Sequence, residues 1–128
     1  PLAGLHILVA DDNSFNADIM KDLLDLKGAT CEIASTGQEA VDLFTSSACG
    51  HFDAILMDIR MPDMDGYEAT KRIRHSKHPD HASIMIIATT ANAFADDVKT
   101  TLASGMNAHL SKPVDLDTLC ALLQSMQL

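Results

Sequence analysis

The sequence predicts an α/β domain in which a parallel five-stranded sheet is covered by helices on both faces. Three observations carry that prediction. Short apolar runs alternate five times with segments of helical periodicity, the order of repeated βα units. Three of the runs are apolar almost throughout, as strands buried on both faces must be. The 128 residues, 47% of them apolar, suffice for a single core of common domain size.

The first run is His6-Ile7-Leu8-Val9-Ala10. Behind it Phe15, Ile19, Leu23 and Leu26 recur at steps of four, four and three, which predicts a helix with these four on one apolar face. Thr30–Ala34 is the second strand; Glu32 in its middle makes it the better edge candidate. Thr36-Gly37-Gln38-Glu39 reads as a capping box that opens a helix through Ala40, Val41 and Phe44. Asp53–Met57 is the third strand, and Asp65 precedes a helix over Tyr67–Arg74 with Ala69 and Ile73 four apart. Ile84–Ala88 is the fourth. Phe94, Val98 and Leu102 then share a face of a helix that Gly105 is placed to end. A weaker run at His109–Ser111 is the last strand, and Asp115 caps a helix whose face is Leu116, Leu119, Leu123 and Met126. Right-handed crossovers leave few topologies, and at this length the flavodoxin-like (βα)5 sandwich with sheet order 2-1-3-4-5 is favoured. Residues 1–128 form one domain, and a start at Pro1 suggests a chain processed or cut from something longer.

Composition excludes several functions. Lys and Arg number 9 against 18 Asp and Glu, a formal charge of −9. Such a surface repels phosphate backbones, so no nucleic-acid binding is expected from this domain. No apolar run is long enough to span a bilayer, so no membrane contact and a cytoplasmic location are expected. Cys31, Cys49 and Cys120 are odd in number and form no C-x-x-C. That excludes a disulfide framework or cysteine zinc site and leaves three small buried hydrophobes. The run His75-Ser76-Lys77-His78-Pro79-Asp80-His81 reads as a solvated loop broken by proline, not a metal site. Met57, Met61, Met64, Met85 and Met106 are expected to pack.

In open α/β sheets, function sits beyond the carboxyl ends of the strands. There stand Asp11 and Asp12 after the first strand, Asp58 after the third, Thr89 and Thr90 after the fourth, and Lys112 with Pro113 after the fifth. The first and third strands are neighbours in this topology, so three carboxylates gather. Unrelieved, they would raise one another's pKa. Mg2+ resolves this, because it takes oxygen ligands and is usually held by one or two carboxylates and a phosphate. A carboxylate can also be a nucleophile toward phosphorus. Phosphoryl transfer needs mostly positioning and charge neutralisation. The residues therefore read as Asp58 accepting a phosphoryl group, Asp11 and Asp12 holding Mg2+, Lys112 supplying fixed positive charge and a hydroxyl hydrogen-bonding the transferred group.

At these residues the chain resembles the receiver (response regulator) domains of two-component signalling. The resemblance is carried by Ile7-Leu8-Val9-Ala10-Asp11-Asp12-Asn13, Met57-Asp58-Ile59-Arg60-Met61-Pro62-Asp63-Met64-Asp65-Gly66, Ala88-Thr89-Thr90-Ala91-Asn92-Ala93 and Leu110-Ser111-Lys112-Pro113. The Asp-Met-Asp-Gly and Thr-Ala-Asn-Ala runs look most like receivers attached to hybrid sensor histidine kinases. The resemblance implies that Asp58 takes its phosphoryl group from a phosphohistidine on a histidine kinase or histidine phosphotransfer domain. It implies metal ligation by Asp12, Asp58, Asp11 (directly or through water) and the backbone carbonyl of Arg60. It also implies that Thr90 is the switch hydroxyl, that Lys112 pairs with a phosphoryl oxygen, and that the Lys112–Pro113 bond is cis. Phosphorylation, adding roughly two negative charges, would rearrange Thr90 and the Thr89–Ala95 loop. The partner-facing side would be the helix at Asp96–Ser104, the strand at His109 and the last helix.

Two features depart from or extend that pattern. The family usually carries Tyr or Phe on the last strand as a rotating switch; here His109 stands there, smaller and titratable near neutral pH. His109→Tyr is expected to be tolerated, and loss of phosphate-dependent partner binding in that variant would give the histidine a role of its own. Arg60 and Asn92, two residues beyond Asp58 and Thr90, are placed to shield an acyl phosphate or admit water.

Competing functions fit less well. A flavodoxin needs a phosphate-cradling loop where Asp11-Asp12 stands, and no G-x-x-x-x-G-K-[ST] occurs for a P-loop enzyme. A haloacid-dehalogenase-type phosphatase needs a second acid two residues after its nucleophile, where this chain has Arg60. A receiver fold used only for docking is the remaining alternative. The domain is therefore expected to be a phosphoryl acceptor and switch, not a turnover enzyme.

Overall fold

The structure, a computed structural model, describes residues 2–62, 64–90, 98–112 and 114–125. Among these residues five strands and five helices alternate: β1 (His6–Ala10), α1 (Ser14–Leu26), β2 (Thr30–Ala34), α2 (Gly37–Thr45), β3 (Ala54–Asp58), α3 (Gly66–Arg74), β4 (Met85–Thr90), α4 (Val98–Ala103), β5 (Ala108–Ser111) and α5 (Leu116–Ser125). All strands pair in parallel, in the order β2-β1-β3-β4-β5. The predicted topology and the edge position of β2 are therefore met.

Alternation along the strands divides the core in two. Leu8, Ile55, Met57 and Ile86 pack with Phe44 of α2 and Ile73 of α3. Ile7, Val9, Leu56 and Ile87 pack with Leu24 of α1 and Leu119 and Leu123 of α5. The helices start where capping predicts. Thr36 Oγ1 accepts from the Glu39 N–H at 3.0 Å, and Asp65 Oδ1 accepts from the Glu68 N–H at 2.8 Å. Asp115 accepts from the Asp117 N–H at 3.2 Å. Gly105, at φ +106, follows α4 in the left-handed region that glycine reaches without strain.

Several expectations are corrected. On α1 the stripe Phe15, Ile19, Leu26 points to solvent, with Phe15 70% and Leu26 78% exposed. Ala17 and Leu24 face the sheet instead, with Met20 between them. Both stripes have helical spacing, and small Ala17 is what lets the helix approach the strands. On α4, Leu102 is 53% exposed while Thr101 is buried; Phe94, the Val98 side chain and Met126 lie outside the described residues. Strands β3 and β4 run on to Asp58 and Thr90, because the ladder continues through the Asp58–Thr89 pair. Cys49 is exposed in the loop before β3, whereas Cys31 and Cys120 are half-buried. His78 is not solvated: its ring lies 4.3 Å from that of Phe44, and its Nε2 bonds the Ser47 carbonyl at 2.9 Å. The five methionines Met57, Met61, Met64, Met85 and Met106 are buried as expected.

Thr70 on α3 is fully buried, and its hydroxyl has no hydrogen-bond partner among the described residues. Thr70→Val keeps the shape and removes the unmet polar atom. It is expected to stabilise the domain by about 1 kcal/mol, measured as a raised denaturant midpoint at constant slope.

Candidate functional site

The parallel register sets the site. Ala10 pairs with Met57, so the residues that follow each, Asp11 just past β1 and Asp58 at the end of β3, stand side by side. Asp58 is also the Cα partner of Thr89. Carboxylate oxygens of Asp11, Asp12 and Asp58 all lie within 4.8 Å of one another. Asp11 and Asp58 are buried, at 7% and 4% exposure, while Asp12 is open to solvent.

Lys112 reaches this cluster from the end of β5. Its Nζ lies 3.1 Å from Asp11 Oδ2 and 3.1 Å from Asp58 Oδ2. The backbone orients the acids further. Asp11 Oδ1 accepts from the Asn13 N–H at 2.9 Å, and Asp58 Oδ1 accepts from the Arg60 N–H at 3.3 Å. Asn13 caps α1 through its own side chain, accepting from the N–H groups of Phe15 and Asn16. That leaves Asp11 and Asp12 free of capping duty.

The electrostatics show a deficit of positive charge. Burial pulls the Lys112 pKa down, but attraction to Asp58 and hydrogen bonds to Asp11 and Asp58 outweigh it, so the ammonium sits above its ordinary value. Asp58 is pushed up: burial dominates, Asp11 adds to it, and Lys112 compensates only in part. One lysine is shared between two buried carboxylates. Over the four residues Asp11, Asp12, Asp58 and Lys112, three formal negative charges meet one positive, a net of 1 − 3 = −2. An all-oxygen donor set with a shortfall of two positive charges fits a hard divalent cation such as Mg2+.

Of the residues singled out in the sequence, Asp11, Asp12, Asp58 and Lys112 are thus brought together. Thr90 is fully buried as the last residue of β4. It stands one step beyond Thr89, and its carbonyl accepts from the Lys112 N–H at 2.7 Å. Arg60 follows Ile59 at the surface, beside Asp58. His109 is half-buried on β5 opposite Ala88, and its Nε2 is buried without a hydrogen-bond partner among the described residues. Pro113, Asn92 and residues 91–95 of the expected switch loop lie outside the described residues.

Sequence reasoning did not assign Gly66 a role. A side chain there would collide with the backbone carbonyl of Asp58 and lie 2.9 Å from the Ile59 Cα. The Gly66 N–H instead donates to the Ile59 carbonyl at 2.9 Å. The helix α3 is thereby seated against the strand end that carries Asp58. The Asp65-Gly66 pair was visible in the sequence, but only the close approach explains the glycine.

The response regulator receiver domain family model matches residues 7–124. Among curated proteins, probable histidine kinase 2 of Oryza sativa subsp. indica is 37% identical over 126 residues, covering 90% of this chain and 12% of that protein. The chain thus spans about an eighth of the length of that relative. Among solved structures, the receiver domain of sensor histidine kinase PA1611 from Pseudomonas aeruginosa is 36% identical with a TM-score of 0.85, covering 97% of this chain and 98% of that one. That structure has magnesium coordinated in its active-site cleft. The receiver domain of the response regulator Ssk1 from Saccharomyces cerevisiae, solved with the histidine phosphotransfer protein Ypd1, is 30% identical with a TM-score of 0.79, covering 95% and 88%.

Proposed function

Because the chain belongs to the response regulator receiver domain family and is a receiver domain of two-component signalling, we propose that Asp58 is its phosphoryl acceptor. The observation that carries this reading is the buried Asp58 carboxylate 3.1 Å from Lys112 at an acid cluster short of two positive charges. Asp11, Asp12, Asp58 and the Arg60 carbonyl would hold Mg2+. That ion supplies neutralisation of the charge that builds on the phosphoryl oxygens during transfer.

The chain's own residues perform the rest. An Asp58 carboxylate oxygen attacks phosphorus of a phosphohistidine. The new O–P bond forms as the P–N bond breaks, and the electron pair leaves with the imidazole nitrogen. Lys112, fixed as a cation by its two carboxylates, is placed to pair with a phosphoryl oxygen and holds no proton in transit. The Thr90 hydroxyl supplies a hydrogen bond to the transferred group. Transfer turns the carboxylate of Asp58 into a doubly charged acyl phosphate. Thr90 and the loop after it then reorganise, biasing the surface of α4, β5 and α5. The domain acts as an acceptor and switch that does not turn over an external substrate.

A histidine kinase or histidine phosphotransfer domain is the donor we infer. The Ssk1 receiver's complex with Ypd1 supports it, as does apolar Phe15 and Ile19 surface on α1 next to the Asp11–Asp12 end. A cytoplasmic location fits this partner, and among the described residues no helix is long and apolar enough to cross a membrane.

The test is intact mass after incubation with acetyl phosphate and Mg2+. One phosphoryl adduct is expected, absent without the metal and absent from Asp58→Asn. An unmodified, folded, Mg2+-binding protein would count against Asp58 as acceptor and for a docking-only receiver. An adduct that persists in Asp58→Asn would place the acceptor elsewhere.

A further inference from the structure

The end of the sheet opposite Asp58 carries a second ligand cluster. From His6 to Asp11 the chain advances five residues along β1, roughly 16 Å at strand rise. At that far end His6 Nε2 and His51 Nε2 both lie 2.7 Å from the same oxygen, Glu32 Oε2. The three side chains come from β1, β2 and the loop before β3, and only tertiary pairing unites them. We propose that His6, Glu32 and His51 form a zinc site.

Several observations support it. The three ligand atoms lie within 4.8 Å of one another. Two imidazoles and one carboxylate are a donor set that zinc takes with a water in the fourth position. Ligand atoms about 2.0–2.1 Å from a tetrahedral zinc are about 3.3 Å apart, so each 2.7 Å His–Glu contact needs to open by about 0.6 Å. The side chains are 23%, 39% and 43% exposed, which leaves an entry path.

The surroundings hold the imidazoles in place. The His6 ring stacks on buried Phe52 at 5.3 Å and 11°, and His51 stands edge-on to both rings, at 4.7 and 4.6 Å. The His6 backbone N–H donates to Asp53 at 2.8 Å. Most telling is the other ring nitrogen: His6 Nδ1 is 2.6 Å from Thr30 Oγ1. A metal-bound Nε2 requires the proton on Nδ1, and an oxygen acceptor for that proton is what fixes such a ligand. Thr30 can accept it while turning its own hydroxyl toward the Leu5 carbonyl at 3.4 Å. Zinc here would tie the edge strand β2 to the start of β1 and to the loop before β3.

The experiment is calorimetric titration of zinc into untagged protein, with millimolar Mg2+ present so that the Asp58 cluster is saturated. One zinc per chain is expected. His51→Ala, at an exposed position that folding tolerates, should weaken binding at least about tenfold, and Thr30→Val should weaken it about tenfold through the lost acceptor. Glu32→Gln keeps the side chain's size and should lose binding as well. Asp58→Asn should bind as the wild type does. Zinc should also raise the melting temperature of the wild type by a few degrees and leave His51→Ala unmoved. The assignment is overturned if the wild type shows no saturable binding, or if binding survives His51→Ala unchanged. It is equally overturned if binding disappears with Asp58→Asn, which would put the ion among the carboxylates at the other end.

Discussion

Lys112→Ala is expected to slow phosphorylation of Asp58 by about 100-fold or more, and in metal-free buffer to cost the domain about 3 kcal/mol. The ammonium lies 3.1 Å from a carboxylate oxygen of each of Asp11 and Asp58. Without it two buried carboxylates face each other. The folded state answers by keeping a proton on Asp58. Asp58 already sits above its ordinary 3.8 because burial outweighs the help from Lys112, and removing the lysine raises it further.

The sign follows from proton counting. Below pH 3.8 both folded and unfolded chains are protonated at Asp58, and the group contributes nothing to pH dependence. Above it the unfolded chain loses its proton first, so the folded state binds more protons and stability falls as pH rises. The fall should be steeper in Lys112→Ala than in the wild type, and absent from Asp58→Asn. Adding Mg2+ should recover much of the lost stability but not the lost rate, because the lysine's place on the phosphoryl oxygen stays empty. Chemical denaturation across pH, with and without Mg2+, together with the acetyl phosphate time course, checks both halves. Wild-type rates in the alanine variant would remove Lys112 from the chemistry.

The second large effect is expected at Gly66. Gly66→Ala drives a methyl into the Asp58 carbonyl and to 2.9 Å from the Ile59 Cα. Neither obstacle is the end of a flexible side chain, so strand or helix must shift. We expect a loss of about 2–3 kcal/mol and a reduced phosphorylation rate, because the shift falls on the residue that carries the acceptor. Melting temperature and Mg2+ affinity measured side by side separate the two. A variant as stable as the wild type would show that α3 does not need its close seat on β3.

The sequence alone determined more of this domain than is usual. Strand and helix order, the edge position of β2 and the sheet order all follow from hydrophobic period and the handedness of crossovers. Site membership followed too, because strand-end residues in a parallel sheet converge wherever the topology is known. Asp11, Asp12, Asp58 and Lys112 therefore needed no coordinates to be grouped. What the sequence left open was decided by tertiary packing. On α1 two stripes of equal periodicity competed, and only the fit of Ala17 and Leu24 against the strands turned Phe15 and Leu26 outward. His78 looked like loop solvent until Phe44 and Ser47 closed over it. The pairing of Glu32 with His6 and with His51 spans 26 and 19 residues. Local periodicity reports which face of an element is apolar. It does not report which of two faces a neighbour will cover, or which distant side chains two adjacent strands and a loop will bring to one point.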